Sequence, residues 1–435
     1  MEVVFQAKEH SRNNNKIIYD FTEEQVIYFN ELFKSNDTES SSKYLGLHEG
    51  YIDNKVVLKS NYYIGYRWFN EKQEEYIHVS PKKSIDEKQA DYLSMFLTCL
   101  QDPIVSKHLN ETYEIFFNEK WIDIKDTKND YITPFLILQF LQIVNKIAKK
   151  GLKKGYVKIT QNLTSKIKGK ILVNETIKHN HFKNRLDKTV CNHQIFTTNC
   201  IENQILKTAL LQCSRNLHGI KNQDITKLLK LNLNSFELVD SINISQNNFS
   251  KIQHSAFYKE YKQALQLAQM IFKRFGFSIN STTSQTQNKI PPFYINMPEL
   301  FERYVEVKLR KIYKDSLVAG YSQKNGNSYT WGLRPDFIVK NKKLIIDAKY
   351  KYWFSNNKDN RFKDDYQQLS LYGRVKDIRK DIRLEHSDNE ATLLFIYPTT
   401  EEEKEFTEAN FDVENDFNNI KKFAMNITII EKNKD

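Results

Sequence analysis

The sequence of 435 residues has few cysteines and no long apolar run. Its four cysteines are too few and too irregularly spaced for a disulfide framework or a common zinc module; they are Cys99, Cys191, Cys200 and Cys213. The most apolar stretch, residues 134–144, is about half the length that crosses a bilayer. Neither a basic n-region nor an apolar h-region of a secretory signal is visible at the start. We therefore expect a cytoplasmic protein that does not associate with membranes.

The sequence also lacks a phosphate-binding loop of the form Gly-x-x-x-x-Gly-Lys-Ser/Thr. Such a loop wraps its backbone N–H groups around nucleotide phosphates. Its absence predicts that this chain binds no nucleotide itself. If nucleotide hydrolysis matters to its function, a second chain must supply it.

The charge is strongly basic and unevenly distributed. The net charge is +11, which suits a polyanionic partner, although an AT-rich genome that favours Lys codons would produce the same excess. Residues 141–190 contain 13 Lys and Arg against 2 Asp and Glu and so hold the whole excess, whereas residues 290–435 contain 25 against 24. The predicted contacts with DNA or an acidic partner surface are the lysines of this segment, namely Lys149, Lys150, Lys153, Lys154, Lys158, Lys166, Lys168 and Lys170.

Composition and apolar periodicity divide the chain into parts and predict a multidomain α+β protein. Residues 1–130 have a mixed, β-rich pattern, and residues 131–277 are predicted to be largely helical. A polar stretch without apolar period, residues 278–292, ends in two prolines and has the composition of a linker. Residues 293–435 form the last part, which contains the candidate catalytic residues.

A helix follows this linker. Asn296 and Glu299 have the spacing of a capping box. One apolar stripe follows, made of Phe301, Val305, Leu309 and Ile312, so we expect the helix to pack on a core. Glu302 lies beside this stripe, where it is either a solvated surface carboxylate or a member of a site.

Two β-rich runs joined by a polar turn then predict a hairpin. The first run begins with Pro335-Asp336, and the second ends in Asp347-Ala-Lys349. The hairpin presents Asp336 on one strand and Asp347 on the other. Because side chains alternate along a strand, Asp347 and Lys349 share one face, which holds an acid beside a base.

These residue types suit metal-assisted cleavage of a phosphodiester. Carboxylates that converge on one point repel each other unless a hard cation such as Mg²⁺ or Mn²⁺ lies between them. We predict Asp336, Asp347 and Glu302 as metal ligands, with Lys349 stabilising the developing charge or orienting the attacking water. A later segment places Gln368 four residues before Tyr372, so both lie on one helix face, as they also would in an ordinary amphipathic helix.

The motifs together resemble a known family. Asp336 and Asp347-Ala-Lys349 resemble the core of PD-(D/E)xK nucleases, and Gln368-x-x-x-Tyr372 resembles its RecB-like branch. Read in order with Met297-Pro-Glu-Leu-Phe-Glu302, they resemble McrC, the nuclease subunit of McrBC-type, modification-dependent restriction systems. The resemblance implies an α/β/α nuclease core over residues 293–435, with Gln368 and Glu302 in the catalytic set and Tyr372 among the DNA or partner contacts.

The same resemblance implies partners and a substrate. The partner is a McrB-like AAA+ GTPase hexamer, which this chain stimulates, and the substrate is double-stranded, modified DNA such as that containing 5-methylcytosine. The implied function is a Mg²⁺-dependent endonuclease subunit of a type IV, anti-phage restriction complex. Two alternatives stay open from the residues alone, a stand-alone RecB-like repair exonuclease and a noncatalytic adaptor of an AAA+ motor. Cleavage of unmodified linear DNA without GTP or partner favours the first alternative.

Overall fold

The fold is mixed α+β, which confirms the predicted class at this level. The computed structural model describes residues 2–8, 48–52, 55–59, 62–71, 74–81, 89–116, 119–123, 132–216, 223–244, 248–249, 252, 259–275, 289–320, 333–351, 363–384, 390–399, 405–413, 419–427 and 429–430. The chain divides into two compact units, one made of Met1–Ile122 and Pro291–Asp435 and the other of Asp123–Ile290. Within the described ranges, none of the helices has both the length and the apolar composition needed to cross a bilayer.

The described residues of the N-terminal segment form short strands and one α-helix. The strands are β1 (Glu2–Lys8), β2 (His48–Ile52), β3 (Lys55–Lys59), β4 (Tyr63–Asn70), β5 (Glu75–Ser80), β6 (Gln89–Ala90), β7 (Tyr113–Ile115) and β8 (Ile122–Asp123), and the helix is α1 (Tyr92–Gln101). In α1, the side chain of Asp91 caps the helix by accepting the N–H of Ser94 at 3.0 Å.

The middle of the chain contains most of the long helices. In order it forms α2 (Ile132–Lys150), β9 (Gly155–Thr164), β10 (Lys170–Ile171), α3 (Val173–His179), β11 (Lys188–Thr197), α4 (Ile201–Asn216), α5 (Gln223–Ser235), α6 (Lys259–Phe275) and β12 (Lys289–Ile290). The apolar faces of α2, α4, α5 and α6 pack together. Cys213 is fully buried in this core, and all four cysteines are buried and outside any disulfide.

The C-terminal segment alternates strands and helices. It forms β13 (Phe293–Asn296), α7 (Met297–Tyr313), β14 (Leu317–Ala319), β15 (Phe337–Val339), β16 (Leu344–Ala348), α8 (Lys363–Tyr372), α9 (Lys376–Asp381), β17 (Thr392–Thr399), β18 (Asp412–Val413), β19 (Ile420–Asn426) and β20 (Ile429–Ile430).

The first sheet combines four strands of the N-terminal segment with β13 of the C-terminal segment. Its order is β1-β5-β4-β13-β7, so the strand that directly follows the predicted linker lies between two N-terminal strands. Phe293 and Ile295 of β13 are buried. Their burial favours a place for β13 within this sheet over a place in a separate C-terminal domain. Gly65 of β4 is required there, because a Cβ at this position would meet the carbonyl oxygen of Phe293 at 2.2 Å. The structure thus differs from the predicted division, since residues 1–122 and 291–435 form one unit.

The second sheet forms the frame of the candidate site. Its order is β14-β15-β16-β17-β19-β18, with β16, β17 and β19 parallel and the remaining neighbours antiparallel. One apolar core joins the strands to α8 and α9 through Ile345, Leu369 and Phe395, among others. Helix α7 packs against β14 and β16.

The middle unit differs from the largely helical prediction in one sheet of three strands. Strands β9 and β11 form an antiparallel pair over ten residues each, from Gly155↔Thr197 to Thr164↔Lys188, and β10 extends the sheet beside β11. These strands lack a continuous buried apolar face, because every β9 side chain is exposed or half-buried and only Val190 and Cys191 of β11 are buried. Their stability comes from cross-strand pairing, which composition does not reveal.

Candidate active site

Helix α7 begins as the sequence predicts. The Asn296 side chain accepts the N–H of Glu299, and Pro298 occupies the first turn, where its missing N–H costs nothing. Phe301, Val305 and Leu309 are fully buried. The prediction for Ile312 is wrong, since this residue is 45% exposed in the last turn, where the described residues leave it uncovered.

The predicted hairpin exists and presents its acids close together. Strands β15 and β16 pair antiparallel, with Phe337 opposite Ile346. Asp336 lies one residue before β15 instead of on it, and its Oδ2 accepts the N–H of Ala348 at 2.7 Å. This hydrogen bond fixes the Asp336 carboxyl across the hairpin, next to the end of β16.

Asp347 and Lys349 lie on one face, as the alternation along the strand predicts. The Asp347 side chain is 2% exposed, and the Nζ of Lys349 lies 2.8 Å from its Oδ2. The N–H of Lys349 donates to the carbonyl of Ile396 at 2.8 Å, which continues the ladder with β17 beyond the end of β16. The backbone of Lys349 is therefore held by the parallel sheet.

A hydrogen-bond chain from α8 orients the Lys349 ammonium group. Lys349 Nζ donates to Gln368 Oε1 at 3.2 Å, Gln368 Nε2 donates to the hydroxyl oxygen of Tyr372 at 2.7 Å, and that hydroxyl donates to the carbonyl of Arg334 at 3.0 Å. The shared helix face of Gln368 and Tyr372 is confirmed. Tyr372 is 1% exposed and its hydroxyl is engaged inside the fold, so its side chain offers no surface here for the predicted contact with DNA or a partner.

These elements line a cavity of about 280 Å³. Its charged lining residues are Glu299, Glu302, Asp336, Lys349, Lys351 and Asp365. Asp347 lies behind this lining and reaches it through its ion pair with Lys349. The residues predicted from α7, the hairpin and α8 are thus brought to one place.

Burial and mutual repulsion shift the protonation of these groups. Burial, followed by the charges of Asp347 and Glu302, holds the pKa of Asp336 well above its usual range. Burial and the neighbouring carboxylates, Glu299 first, raise the pKa of Glu302 to about 7. Burial also raises the pKa of Asp347, although Lys349 opposes the shift. The carboxyl groups therefore hold protons more tightly than isolated acids do, as expected where a positive charge is needed to offset them.

The pKa of Lys349 shifts in the direction that keeps it charged. Burial alone would lower this pKa, but the negative charges of Asp347 and Asp336 outweigh burial and raise it. Lys349 consequently stays protonated around neutral pH, so it can act as a hydrogen-bond donor and a fixed positive charge but not as a base.

The donors fit a hard divalent cation by chemistry. Glu302, Asp336 and Asp347 offer only oxygen atoms, the ligand type that Mg²⁺ prefers. Their spacing is not that of a completed site, because no three His, Cys, Asp or Glu side chains among the described residues are grouped to hold a metal ion. One oxygen each of Asp336 and Asp347 is already engaged, by the Ala348 N–H and by Lys349.

A buried arginine, Arg303, forms an ion pair with Glu302. No sequence motif indicated this residue. Arg303 is 3% exposed, and its guanidinium pairs with Glu302 at 3.3 Å, with Glu306 at 3.5 Å and also with Glu299. Glu306 is fully buried and also pairs with Arg310 at 2.6 Å. The spacing of three and four residues between these charges on α7 was the available signal.

We expect Arg303→Met to destabilise the fold strongly. The change leaves buried carboxylates without their main counter-charge, and breaking a buried ion pair in this way typically costs about 3–5 kcal/mol. Urea unfolding measures the loss. Arg374→Met, at an exposed position in the same unit, is the control and should change the free energy of unfolding by less than about 0.5 kcal/mol. Equal effects of the two variants would contradict a stabilising role for the Arg303 cluster.

The predicted lysine contacts separate into two groups. Lys153 Nζ pairs with the buried Glu202 at 2.7 Å, and Lys150 pairs with Glu260, so both lysines are engaged within the middle unit. The others are exposed: Lys149, Lys154, Lys158, Lys166, Lys168 and Lys170. Four of these, Lys158 to Lys170, follow β9 and the turn into β10.

Comparison with protein families agrees with the resemblance found in the motifs. A family model described as "McrBC 5-methylcytosine restriction system component" matches residues 58–384, which include every predicted site residue. A solved half-complex from a tetradecameric assembly of Thermococcus gammatolerans McrB AAA+ hexamers with bound McrC is similar at 15% identity and a TM-score of 0.40, over 97% of this chain and 94% of that chain.

A second solved structure shows a weaker likeness. The cryo-EM structure of the Thermococcus gammatolerans McrBC complex is similar at 15% identity and a TM-score of 0.31, over 70% of this chain and 86% of that chain. No curated protein matches the chain.

Proposed function

Since this chain belongs to the family of McrBC 5-methylcytosine restriction system components, we propose that it is the McrC-like subunit that cuts DNA in such a system. The substrate is double-stranded, modified DNA, and the reaction is metal-dependent hydrolysis of a phosphodiester. The observation that carries this proposal is the meeting of Asp336, Lys349 and Glu302 at one cavity, with Asp347 paired to Lys349 directly behind its lining. The hairpin with its two acids, followed by the α8 helix, supports assignment of residues 293–435 to the PD-(D/E)xK nucleases.

In this proposal Asp336, Asp347 and Glu302 hold Mg²⁺ or Mn²⁺, which supplies Lewis-acid polarisation of the phosphodiester. Lys349 donates hydrogen bonds to the developing negative charge and stays protonated throughout. Gln368 and Tyr372 keep its ammonium group aimed at the cavity. The Ala348 N–H holds one oxygen of Asp336, so the other oxygen is the proposed metal ligand.

The proposed partner is a McrB-like AAA+ GTPase hexamer. The chain has no phosphate-binding loop of its own, so a restriction system that uses GTP needs a second subunit. The sheet of β9, β10 and β11 offers a surface for that subunit or for DNA, because it combines exposed lysines with exposed apolar side chains. Tyr156 and Phe196 are 73% and 60% exposed and contact each other there, with ring centroids 5.1 Å apart.

Neutralising the exposed lysines tests this surface. We expect the triple change of Lys166, Lys168 and Lys170 to Gln to weaken association with the partner or with DNA. The salt dependence should also flatten, by about 0.9 in the logarithmic slope for each DNA phosphate that the protein no longer neutralises. Binding measured over a range of salt concentrations checks both effects.

The matched control neutralises three lysines elsewhere in the same unit. Lys230, Lys259 and Lys262 lie exposed on α5 and α6, and their change to Gln should leave the affinity and the salt slope near those of the unsubstituted chain. If both triple variants behave alike, the lysines of the β9–β10 turn reflect genome composition only.

The most direct test of the partner is association itself. The neighbouring gene should encode an AAA+ protein with a Walker A loop, and that protein should copurify with this chain and hydrolyse GTP faster in its presence. An AAA+ neighbour that neither binds the chain nor responds to it would contradict the proposed assembly.

A further inference from the structure

Lys351 lies on the cavity wall but belongs to none of the predicted motifs. Its side chain is 23% exposed and pairs with Asp365, in the first turn of α8. The N–H of Lys351 donates to the carbonyl of Lys349 at 2.8 Å, which closes a three-residue turn. This turn holds the two lysines beside the same cavity.

The two lysines are held differently. Lys349 is tied to Asp347 at 2.8 Å and to Gln368 at 3.2 Å, two groups that fix it from within the fold. Lys351 pairs instead with a carboxylate at the cavity itself, and the Oδ1 of Asp365 also lies 3.8 Å from the Nζ of Lys349. Asp365 therefore stands between the two ammonium groups and can pair with either.

DNA brings a row of negative charges to this wall. Four carboxyl groups, those of Glu299, Glu302, Asp336 and Asp365, line the cavity and oppose the approach of phosphates. One lysine cannot offset this repulsion at both the scissile phosphate and its neighbour along the backbone. Phosphate contacts by lysine fix the register of a protein on DNA, as cleavage at a defined bond requires.

We propose that Lys351 binds the phosphate next to the scissile one, exchanging its ion pair with Asp365 for the DNA backbone. Asp365 then pairs with Lys349, so its charge stays compensated and it acts as a positioning residue. The inference rests on the proposed nuclease function. It adds a second phosphate-binding residue and a carboxylate that holds it in place until DNA arrives.

The test measures DNA binding apart from cleavage. A fluorescently labelled short duplex is titrated with the full chain in Ca²⁺ instead of Mg²⁺, at several salt concentrations, for the unsubstituted chain and for Lys351→Gln. We expect Lys351→Gln to raise the dissociation constant and to lower the logarithmic salt slope by about 0.9, the change expected when one phosphate is no longer neutralised. Lys351→Arg keeps the charge and should keep the slope.

Two further variants sharpen the result. Lys342→Gln removes an ion-paired lysine that is 53% exposed and outside the cavity lining, and it should leave the affinity and slope unchanged. Asp365→Asn removes the negative charge that competes with DNA for Lys351. The same change also removes the carboxylate that lies near the Nζ of Lys349. We expect it to tighten duplex binding while lowering kcat for cleavage in Mg²⁺ with the GTPase partner.

The outcomes separate this inference from the function it rests on. If the unsubstituted chain cuts with Mg²⁺ and its partner while Lys351→Gln keeps the original affinity and slope, the role of Lys351 is wrong and the nuclease stands. If Lys351→Arg lowers the logarithmic salt slope as much as Lys351→Gln does, the effect is structural and the inference also fails. If the unsubstituted chain binds duplex with the expected slope but never cuts, the proposed function fails instead.

Discussion

Asp347→Ala is expected to reduce DNA cleavage below detection while the protein still folds. The change removes one of the proposed cation ligands and the counter-charge 2.8 Å from Lys349. The fold should tolerate it, because burial already makes the ionised carboxyl unfavourable, as its raised pKa shows, although Lys349 offsets part of that cost. Lys349 keeps its hydrogen bond to Gln368 and its approach to Asp365. Gel analysis of Mg²⁺-dependent cleavage in the assembled complex measures the loss.

The same variant separates cutting from docking. Partner association and GTPase stimulation should match those of the unsubstituted chain, because we assign docking to the middle unit. Asp412→Ala, at an exposed position on β18, serves as the control for removing a surface carboxylate and should cut normally. Cleavage by Asp347→Ala in Mg²⁺ would show that the assignment of this residue is wrong.

Lys349→Ala is expected to slow cleavage by about 10²–10⁴-fold, the range for a positioned catalytic group. Its ammonium group is held by Asp347 and Gln368, and its raised pKa keeps the charge in place over the working pH range. The pH–rate profile of the unsubstituted enzyme should therefore show no alkaline limb from loss of this charge. Single-turnover rates at several pH values check both statements.

Two comparisons make the Lys349 result specific. Lys342→Ala, outside the cavity, should cut at the original rate. Lys349→Arg should cut DNA little faster than Lys349→Ala does, because a planar guanidinium cannot occupy the position of a compact ammonium between Asp347 and Gln368. A Lys349→Ala enzyme that cuts as fast as the original would remove this lysine from the mechanism.

The local parts of the candidate site were predictable from the sequence. The cap at Asn296, the hairpin around Asp347 and the shared face of Gln368 and Tyr372 depend on spacings of two to four residues. Such spacings are set by strand and helix geometry, which a sequence displays directly. The roles of these residues in catalysis stay predictions until the variants are measured.

Long-range pairing was not predictable in the same way. Strand β13 has only four residues, and its partners β4 and β7 lie far away in sequence. A short apolar run next to a polar linker gives no signal of which strands it joins. The predicted division into separate N-terminal and C-terminal domains differs from the two observed units for this reason. The β9–β11 pair was missed because every β9 side chain is exposed or half-buried and only Val190 and Cys191 of β11 are buried.

Burial accounts for the remaining differences between the predicted and the observed environments of individual side chains. Tyr372 and Lys153 have types that suit a binding surface, yet one is enclosed by the core around α8 and the other pairs with a buried glutamate. Arg303 shows the opposite case, since an arginine among glutamates on a helix suggests a solvated face but is 3% exposed. Which side of a helix is covered depends on tertiary packing, and residue type alone does not determine it.

Cleavage by the reconstituted complex tests the central claim most directly. The chain, its AAA+ partner, GTP and a duplex containing 5-methylcytosine are combined with Mg²⁺ or with a chelator, beside the Asp347→Ala complex. We predict cuts only with Mg²⁺ and intact Asp347, and GTPase stimulation in both complexes. Cutting of unmodified linear DNA by the chain alone would contradict the proposed function and favour a repair exonuclease. Full GTPase stimulation without any cutting would contradict it in favour of a noncatalytic adaptor.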